Sequence, residues 1–250
     1  MEESGRILKI MTFNIGSGRD IDEHIDLTET LELLRYGEAD VIGLQEVDRH
    51  FSKRSLFQDQ AILLSESLGM YLAYGPAIDD PATEEGHPNR QYGNAVFSKF
   101  PILSVTNHRL RSADSQEEPR CLLEVKIDLD GIPVVVLNTH LALMKGAQQL
   151  GVEDILKRTA ELEEPHIVVG DFNMTPDDDT MQPLFDRFEP AIDQELHYPT
   201  TYSRDKIAGN RLDYILVDHH WKIIRAFIIP TAVSDHFPVA ARLEFFTKTT

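Results

Sequence analysis

The chain has 250 residues, a formal charge of −18 and a 42% share of hydrophobic residues, enough for a substantial core. The acidic balance argues against tight, sequence-independent binding of nucleic acid, which relies on Lys and Arg facing phosphates. A single cysteine, Cys121, excludes an internal disulfide framework and fits a reducing compartment, and no run approaches the ~20 apolar residues of a membrane-spanning helix.

Residues 6–15 alternate and then turn polar, which predicts a first strand. Leu27, Leu31 and Leu34 at helical spacing predict a helix over 25–36, followed by a compact apolar strand at 41–44. Ala61, Leu64 and Leu68 line one face of a second helix, with Gly69 as its C-terminal cap. Strands are expected at 71–74, 94–98, 102–110, 121–129 and 133–138, the last two joined by the hairpin turn Asp130-Gly131. A helix over 147–162 leads into a strand at 166–169, and Pro176 with three aspartates reads as the start of another helix. Strands at 212–217, 221–229 and 238–245 close the pattern. Residues 75–91, 106–119 and 198–210 are expected to be surface loops. Helical crossovers alternating with hairpin-linked strands indicate a mixed α/β architecture with helix-covered sheets.

Several apolar strands finish in polar side chains: Thr12-Phe13-Asn14, Gln45-Glu46, Asn138-Thr139-His140, Gly170-Asp171-Phe172-Asn173, Arg211-Leu212-Asp213 and Ser234-Asp235-His236. Burying such groups unpaired is costly. A fold that gathers these ends therefore makes one acidic, imidazole-bearing pocket suited to a divalent cation and a phosphate ester. Because the clusters run from residue 14 to residue 236, a single domain over 1–250 is expected. Glu46 reads either as a solvated turn residue or as an oxygen ligand for a hard ion such as Mg²⁺, with Asn14 and Gln45 orienting it or contributing a water-mediated ligand. Asp171 and Asn173 form either an Asx turn or a pair that aligns a nucleophilic water and holds a phosphate oxygen. Asp213 and His236 would make a carboxylate–imidazole pair, and His140 would donate to the phosphate or leaving group. Arg90, Asn94 and Arg120 are candidate substrate contacts, since a guanidinium can meet two phosphate oxygens at once.

In this order, together with Tyr92-Gly-Asn94-Ala-Val-Phe-Ser98, these motifs resemble the endonuclease/exonuclease/phosphatase superfamily along nearly the whole chain. The resemblance implies a four-layer α/β/β/α sandwich with two central mixed sheets, and Mg²⁺- or Mn²⁺-dependent cleavage of a phosphoester. It implies Glu46 as the principal metal ligand with Asn14 and Asp235 close to the ion. Asp171 would align the water and Asn173 bind phosphate. His236 would act as base or phosphate stabiliser, oriented by Asp213, with His140 at the phosphate or leaving group.

A looser likeness rests on Glu46-Val-Asp48-Arg49, Arg54, Asp59-Gln60, Leu68-Gly-Met70 and Tyr74-Gly-Pro76-Ala77. It is similar to the branch that contains C-terminal domains of proteins implicated in lipid remodelling of glycosylphosphatidylinositol anchors. Asp48, Arg49 and Arg54 then either line the pocket or form a salt-bridge network. The charge balance favours a small or lipid-derived phosphoester, with transient lipid contact, over duplex DNA. The alternatives are a metal-dependent DNA nuclease and a noncatalytic phosphoester-binding module. The expected setting is cytoplasmic, and no protein partner is inferable.

Overall fold

In the first strand, β1 (Arg6–Asn14), Leu8 and Ile10 face one way and Met11 and Phe13 the other, and all four are fully buried. A strand buried on both faces needs a packed layer on each side. The computed structural model, which describes residues 5–112, 114–192, 201–202 and 210–246, supplies those layers. β1 pairs in parallel with β2 (Val41–Arg49) across the helix α1 (Leu27–Tyr36). After α2 (Gln60–Leu68) come β3 (Tyr71–Asp80) and β4 (Arg90–Ser98). These strands join β11 (Trp221–Ile228) and β12 (Val239–Phe245) in one six-stranded sheet, ordered β11-β12-β1-β2-β4-β3.

The second sheet repeats this plan. It contains β5 (Ile102–Arg109), β6 (Cys121–Leu129), β7 (Ile132–His140), β8 (His166–Asp171), β9 (Glu189–Pro190) and β10 (Asp213–Val217), ordered β5-β6-β7-β8-β10-β9. Its parallel pair, β7 and β8, is joined through α3 (Lys145–Ala160), and α4 (Gln182–Phe185) follows β8. Each sheet is mixed, its remaining pairings being antiparallel.

Three apolar layers result. Leu8, Ile10, Val41 and Val96 meet Val125, Val136, Val169 and Ile215 between the sheets. Leu34 and Leu64 cover the outer face of the first sheet, and Ile155 and Leu184 that of the second. The fold is the α/β sandwich that the motif order implies.

Strand parity then positions the polar ends. Val134 and Val136 face the inter-sheet core, so Asn138 and His140 do too; the same holds for Ile167, Val169 and Asp171, and for Ile215 and Asp213. Register sets His140 beside Asp171 and Asp171 beside Asp213, while Asn14 pairs with Gln45 in the other sheet. The inter-sheet core thus turns polar at one end, at the carboxyl ends of both parallel pairs.

Three expectations change. The loop expected over 75–91 is confined to 81–89: β3 runs to Asp80 and β4 begins at Arg90, the two residues paired. The strand β5 continues to Arg109, which shortens the loop expected over 106–119. No helix starts at Pro176, because the Asp178 carboxylate accepts from the Thr180 N–H and closes a turn, and helix begins only at Gln182. The loop expected at 198–210 falls mostly outside the described residues. Among the described residues no helix is long and apolar enough to cross a membrane.

Candidate functional site

The floor of the polar end is a lattice of amides. Gln45 Nε2 donates to Asn138 Oδ1 at 2.6 Å and to Thr12 Oγ1 at 3.0 Å. Asn138 Nδ2 donates to the Leu44 and Ala95 carbonyls, both at 2.9 Å, tying the second sheet to the first. Asn94, 2% exposed, belongs to the same floor, its amide donating to the Cys121 carbonyl at 3.2 Å.

Above this floor the site residues converge. Asn14 Nδ2 lies 3.0 Å from both Glu46 Oε1 and Asp171 Oδ2, while Asn14 Oδ1 accepts the Gly16 N–H. The backbone donor at Gly16 fixes which end of the amide is oxygen. Asn14 therefore holds two carboxylates together and spends its own oxygen on the backbone. Glu46 gets there through a β-bulge. The ladder with β4 shifts between Leu44 and Val47, and Glu46 adopts a left-handed φ of 57°. Ser234 Oγ donates to the Asn14 carbonyl at 2.8 Å and accepts the His236 N–H, which docks 234–236 against β1.

His236 Nδ1 sits 2.9 Å from Asp213 Oδ2, and its Nε2 lies 3.6 Å from Asp171 Oδ2. His140 Nε2 approaches the same Asp171 oxygen at 3.5 Å. Behind His140, Arg120 Nη1 lies 2.9 Å from Nδ1 and also pairs with Glu118. Arginine only donates, so His140 Nδ1 is the acceptor and the ring proton resides on Nε2. Asn173, at a φ of 52°, donates its amide to the Leu141 carbonyl and its N–H to Asp171 Oδ1. The tight turn before it needs Gly170, because a Cβ there would strike the Thr139 carbonyl oxygen.

Electrostatics separate the groups by role. Burial, with Asp171 and Asp235 nearby, raises the Glu46 carboxyl above its ordinary range, against the Asn14 hydrogen bond. Burial and the Asp213 charge raise Asp171 likewise. Burial opposes a charged His236, but Asp213 and Asp171 outweigh it and hold the imidazolium at neutral pH. Burial and the Arg120 charge push His140 well down, so it stays neutral. Glu46, Asp171, Asp213 and Asp235 thus crowd one imidazolium. That excess of negative oxygen could hold a hard divalent cation, with Glu46 and Asp235 as candidate donors and Asn14 bracing Glu46 against Asp171.

Arg90 is not brought to this cluster. It pairs with Asp80 at 3.4 Å and lines a rim pocket of about 240 Å³ with His50, Phe57 and His87. The arginines after Glu46 form a salt-bridge network: Arg54 meets both oxygens of Asp48 at 2.8 and 2.9 Å, and Arg49 those of Asp59. Arg54 also lies over the Phe51 and Tyr92 rings.

Two contributors escape sequence reading. Thr201 Oγ1 accepts the Leu212 and Asp213 N–H groups, and the Tyr202 ring packs 4.9 Å from that of His236. A threonine acting through backbone amides leaves no side-chain signature.

A model of the Endonuclease/Exonuclease/phosphatase family matches residues 11–236. The chain is 32% identical over 111 residues to protein cwh43 of Schizosaccharomyces pombe, a stretch covering 44% of this chain and 10% of that protein. It is 30% identical over 176 residues to protein YbhP of Escherichia coli K12, covering 66% of each. Among solved structures it resembles an endonuclease/exonuclease/phosphatase from Beutenbergia cavernae, with a TM-score of 0.79, 23% identity and coverage of 96% of this chain and 72% of that one.

Proposed function

The chain belongs to the Endonuclease/Exonuclease/phosphatase family, and we propose that it is a divalent-metal-dependent phosphoester hydrolase that uses water to cleave a small or lipid-derived phosphoester. The observation that carries this reading is the convergence on one atom. Asp171 Oδ2 stands 3.0 Å from Asn14 Nδ2, 3.5 Å from His140 Nε2 and 3.6 Å from His236 Nε2. Amide and imidazole donors around a carboxylate are what a water and a phosphate need in adjacent positions.

Mg²⁺ or Mn²⁺ held by Glu46 and Asp235 would neutralise charge developing on the phosphate. Asp171 accepts a hydrogen bond from the attacking water and orients it in line with the leaving oxygen. Its raised proton affinity suits it to take the water's proton as the new P–O bond forms and the ester P–O bond breaks. His236, kept cationic by Asp213 and Asp171, donates from Nε2 to a phosphate oxygen. That behaviour favours the stabilising role over the general-base role. His140 is a neutral Nε2–H donor to the phosphate or leaving oxygen, and Arg120 serves the phosphate through it. Asn173 completes the oxygen contacts, and Asn94 keeps the floor on which they stand. Positioning and electrostatics supply most of the acceleration in such phosphoryl transfer.

Two observations support the substrate class. The charge of −18 repels polyanions. Leu143 and Met144, 73% and 64% exposed, follow His140 closely and suit contact with an apolar substrate portion. The test is a panel of bis-p-nitrophenyl phosphate, phosphomonoesters, phospholipids, inositol phosphates and abasic or supercoiled DNA, run with Mg²⁺ and Mn²⁺. Turnover of a non-nucleic substrate that disappears in His236→Ala supports the proposal. Plasmid nicking alone, lost in the same variant, would make the protein a nuclease instead.

A further inference from the structure

The two strands that carry Asp171 and Asp213 have a second polar end. Val217 pairs with Ile167, so the residues just beyond them, Asp218 and His166, meet at the opposite edge of the sandwich. Five residue steps along each strand separate this place from the catalytic carboxylates, about 16 Å.

Asp218, 5% exposed, is its hub. Its carboxylate accepts the N–H groups of His166 and His220, at 3.1 and 2.9 Å. Its Oδ2 also lies 3.1 Å from His166 Nδ1 and 2.9 Å from His220 Nδ1. An ionised carboxylate only accepts, so it keeps the His220 proton on Nδ1 and leaves Nε2 as a lone pair. Among the described residues that Nε2 has no hydrogen bond. The exposed His219 ring lies beside the His220 ring, 4.0 Å between centroids. One ligand-capable atom each from Asp218, His219 and His220 fall within 4.8 Å of one another.

A carboxylate behind one imidazole nitrogen, with the other free, is how metal-binding histidines are oriented and made more basic. The adjacent second imidazole completes a two-nitrogen chelate. Nitrogen donors select Zn²⁺, Ni²⁺ or Cu²⁺ over Mg²⁺, the reverse of the oxygen-rich catalytic end. We propose that the 218–220 turn is a second metal site, taking a nitrogen-preferring divalent ion on His219 and His220 with Asp218 as the orienting carboxylate. Water fills the remaining positions. A bound ion clamps the turn between β10 and β11 and so raises stability in proportion to its occupancy.

The probe is Ni²⁺, titrated calorimetrically into the tag-free full chain in excess Mg²⁺. The proposal expects a single Ni²⁺ per chain and an affinity at least about tenfold weaker in both His220→Ala and His219→Ala. His219→Ala is the decisive variant, because that side chain is exposed and makes no hydrogen bond among the described residues. Asp218→Asn should weaken binding while the two histidines remain. Mg²⁺-dependent turnover should be unchanged in both His variants. Absence of sub-millimolar Ni²⁺ binding would overturn the proposal. So would parental affinity in both variants, or loss of binding in His236→Ala alone, which would put the ion in the catalytic pocket. Metal binding is read directly, so the result stands whether or not the phosphoesterase reading holds.

Discussion

Replacing Arg120 by Met removes the guanidinium behind His140 and keeps a long side chain in its place. The Nη1 to Nδ1 contact of 2.9 Å is the restraint that holds the His140 proton on Nε2, facing Asp171 at 3.5 Å. A hydrogen bond with a charged partner contributes about 1.5–3 kcal/mol. Lost from the reacting arrangement, that lowers kcat about 10- to 100-fold, at about tenfold per 1.4 kcal/mol. KM should move little, because Arg120 acts through His140. Nitrogen-15 NMR should find a single Nε2–H tautomer in the parent and a mixture in the variant. The sign of the pH effect follows. Arg120 is one of the charges that depress His140, so its removal raises the His140 pKa and protonation sets in at a higher pH than in the parent. Protonation puts a hydrogen on both ring nitrogens and restores the Nε2–H donor, so the deficit of Arg120→Met shrinks as pH falls. A raised KM with parental kcat would refute the reasoning, since Arg120 would then touch substrate itself. Parental kcat with an unchanged tautomer would refute it too.

Asp213→Asn and His236→Ala should each lower turnover by orders of magnitude, and the double variant should be little worse than His236→Ala, because the pair acts as a unit; additive losses in a kinetic cycle would contradict this. Gly170→Ala should cost at least about 2 kcal/mol in urea unfolding, since φ is 149° and the new Cβ would strike the Thr139 carbonyl. Glu124 offers a pH test of stability away from the site. Hydrogen bonds from Arg158, against the pull of burial, and from His108 hold its carboxyl below the usual range. A depressed folded-state pKa gives stability that is present above the unfolded value and is lost as pH falls through the folded one. Glu124→Gln should thus lose roughly 1–2 kcal/mol at pH 7, allowing for the partly exposed partners, and approach the parent in strong acid. A difference that persists undiminished below both pKa values would contradict that origin.

Most of the site was readable because strand parity carries it. Once Val136, Val169 and Ile215 face the inter-sheet core, His140, Asp171 and Asp213 must face it too, and register makes them neighbours. Glu46 was readable as a residue type but not as a position. Alternation from Leu44 points it to the outer face, and only the bulge, with its left-handed φ of 57°, returns it to Asn14. The three aspartates after Pro176 mislead because a short carboxylate caps a turn as readily as it starts a helix. Residues 75–91 mislead in the other direction. Their Pro, Asp and Gly content suits a loop, yet backbone pairing from Tyr71 to Asp80 overrides composition. The fate of Asn94 and Arg90 depends on tertiary neighbours, the Cys121 carbonyl and Asp80, that no local pattern reveals.

The most direct test of the central claim is a cation titration of turnover for the parent and Glu46→Gln under matched conditions. The account predicts no turnover in chelator, restoration by Mg²⁺ or Mn²⁺, and a Glu46→Gln variant that folds normally, needs far more cation and turns over orders of magnitude more slowly. Full turnover in chelator, or a Glu46→Gln variant with the parental cation requirement, would contradict it.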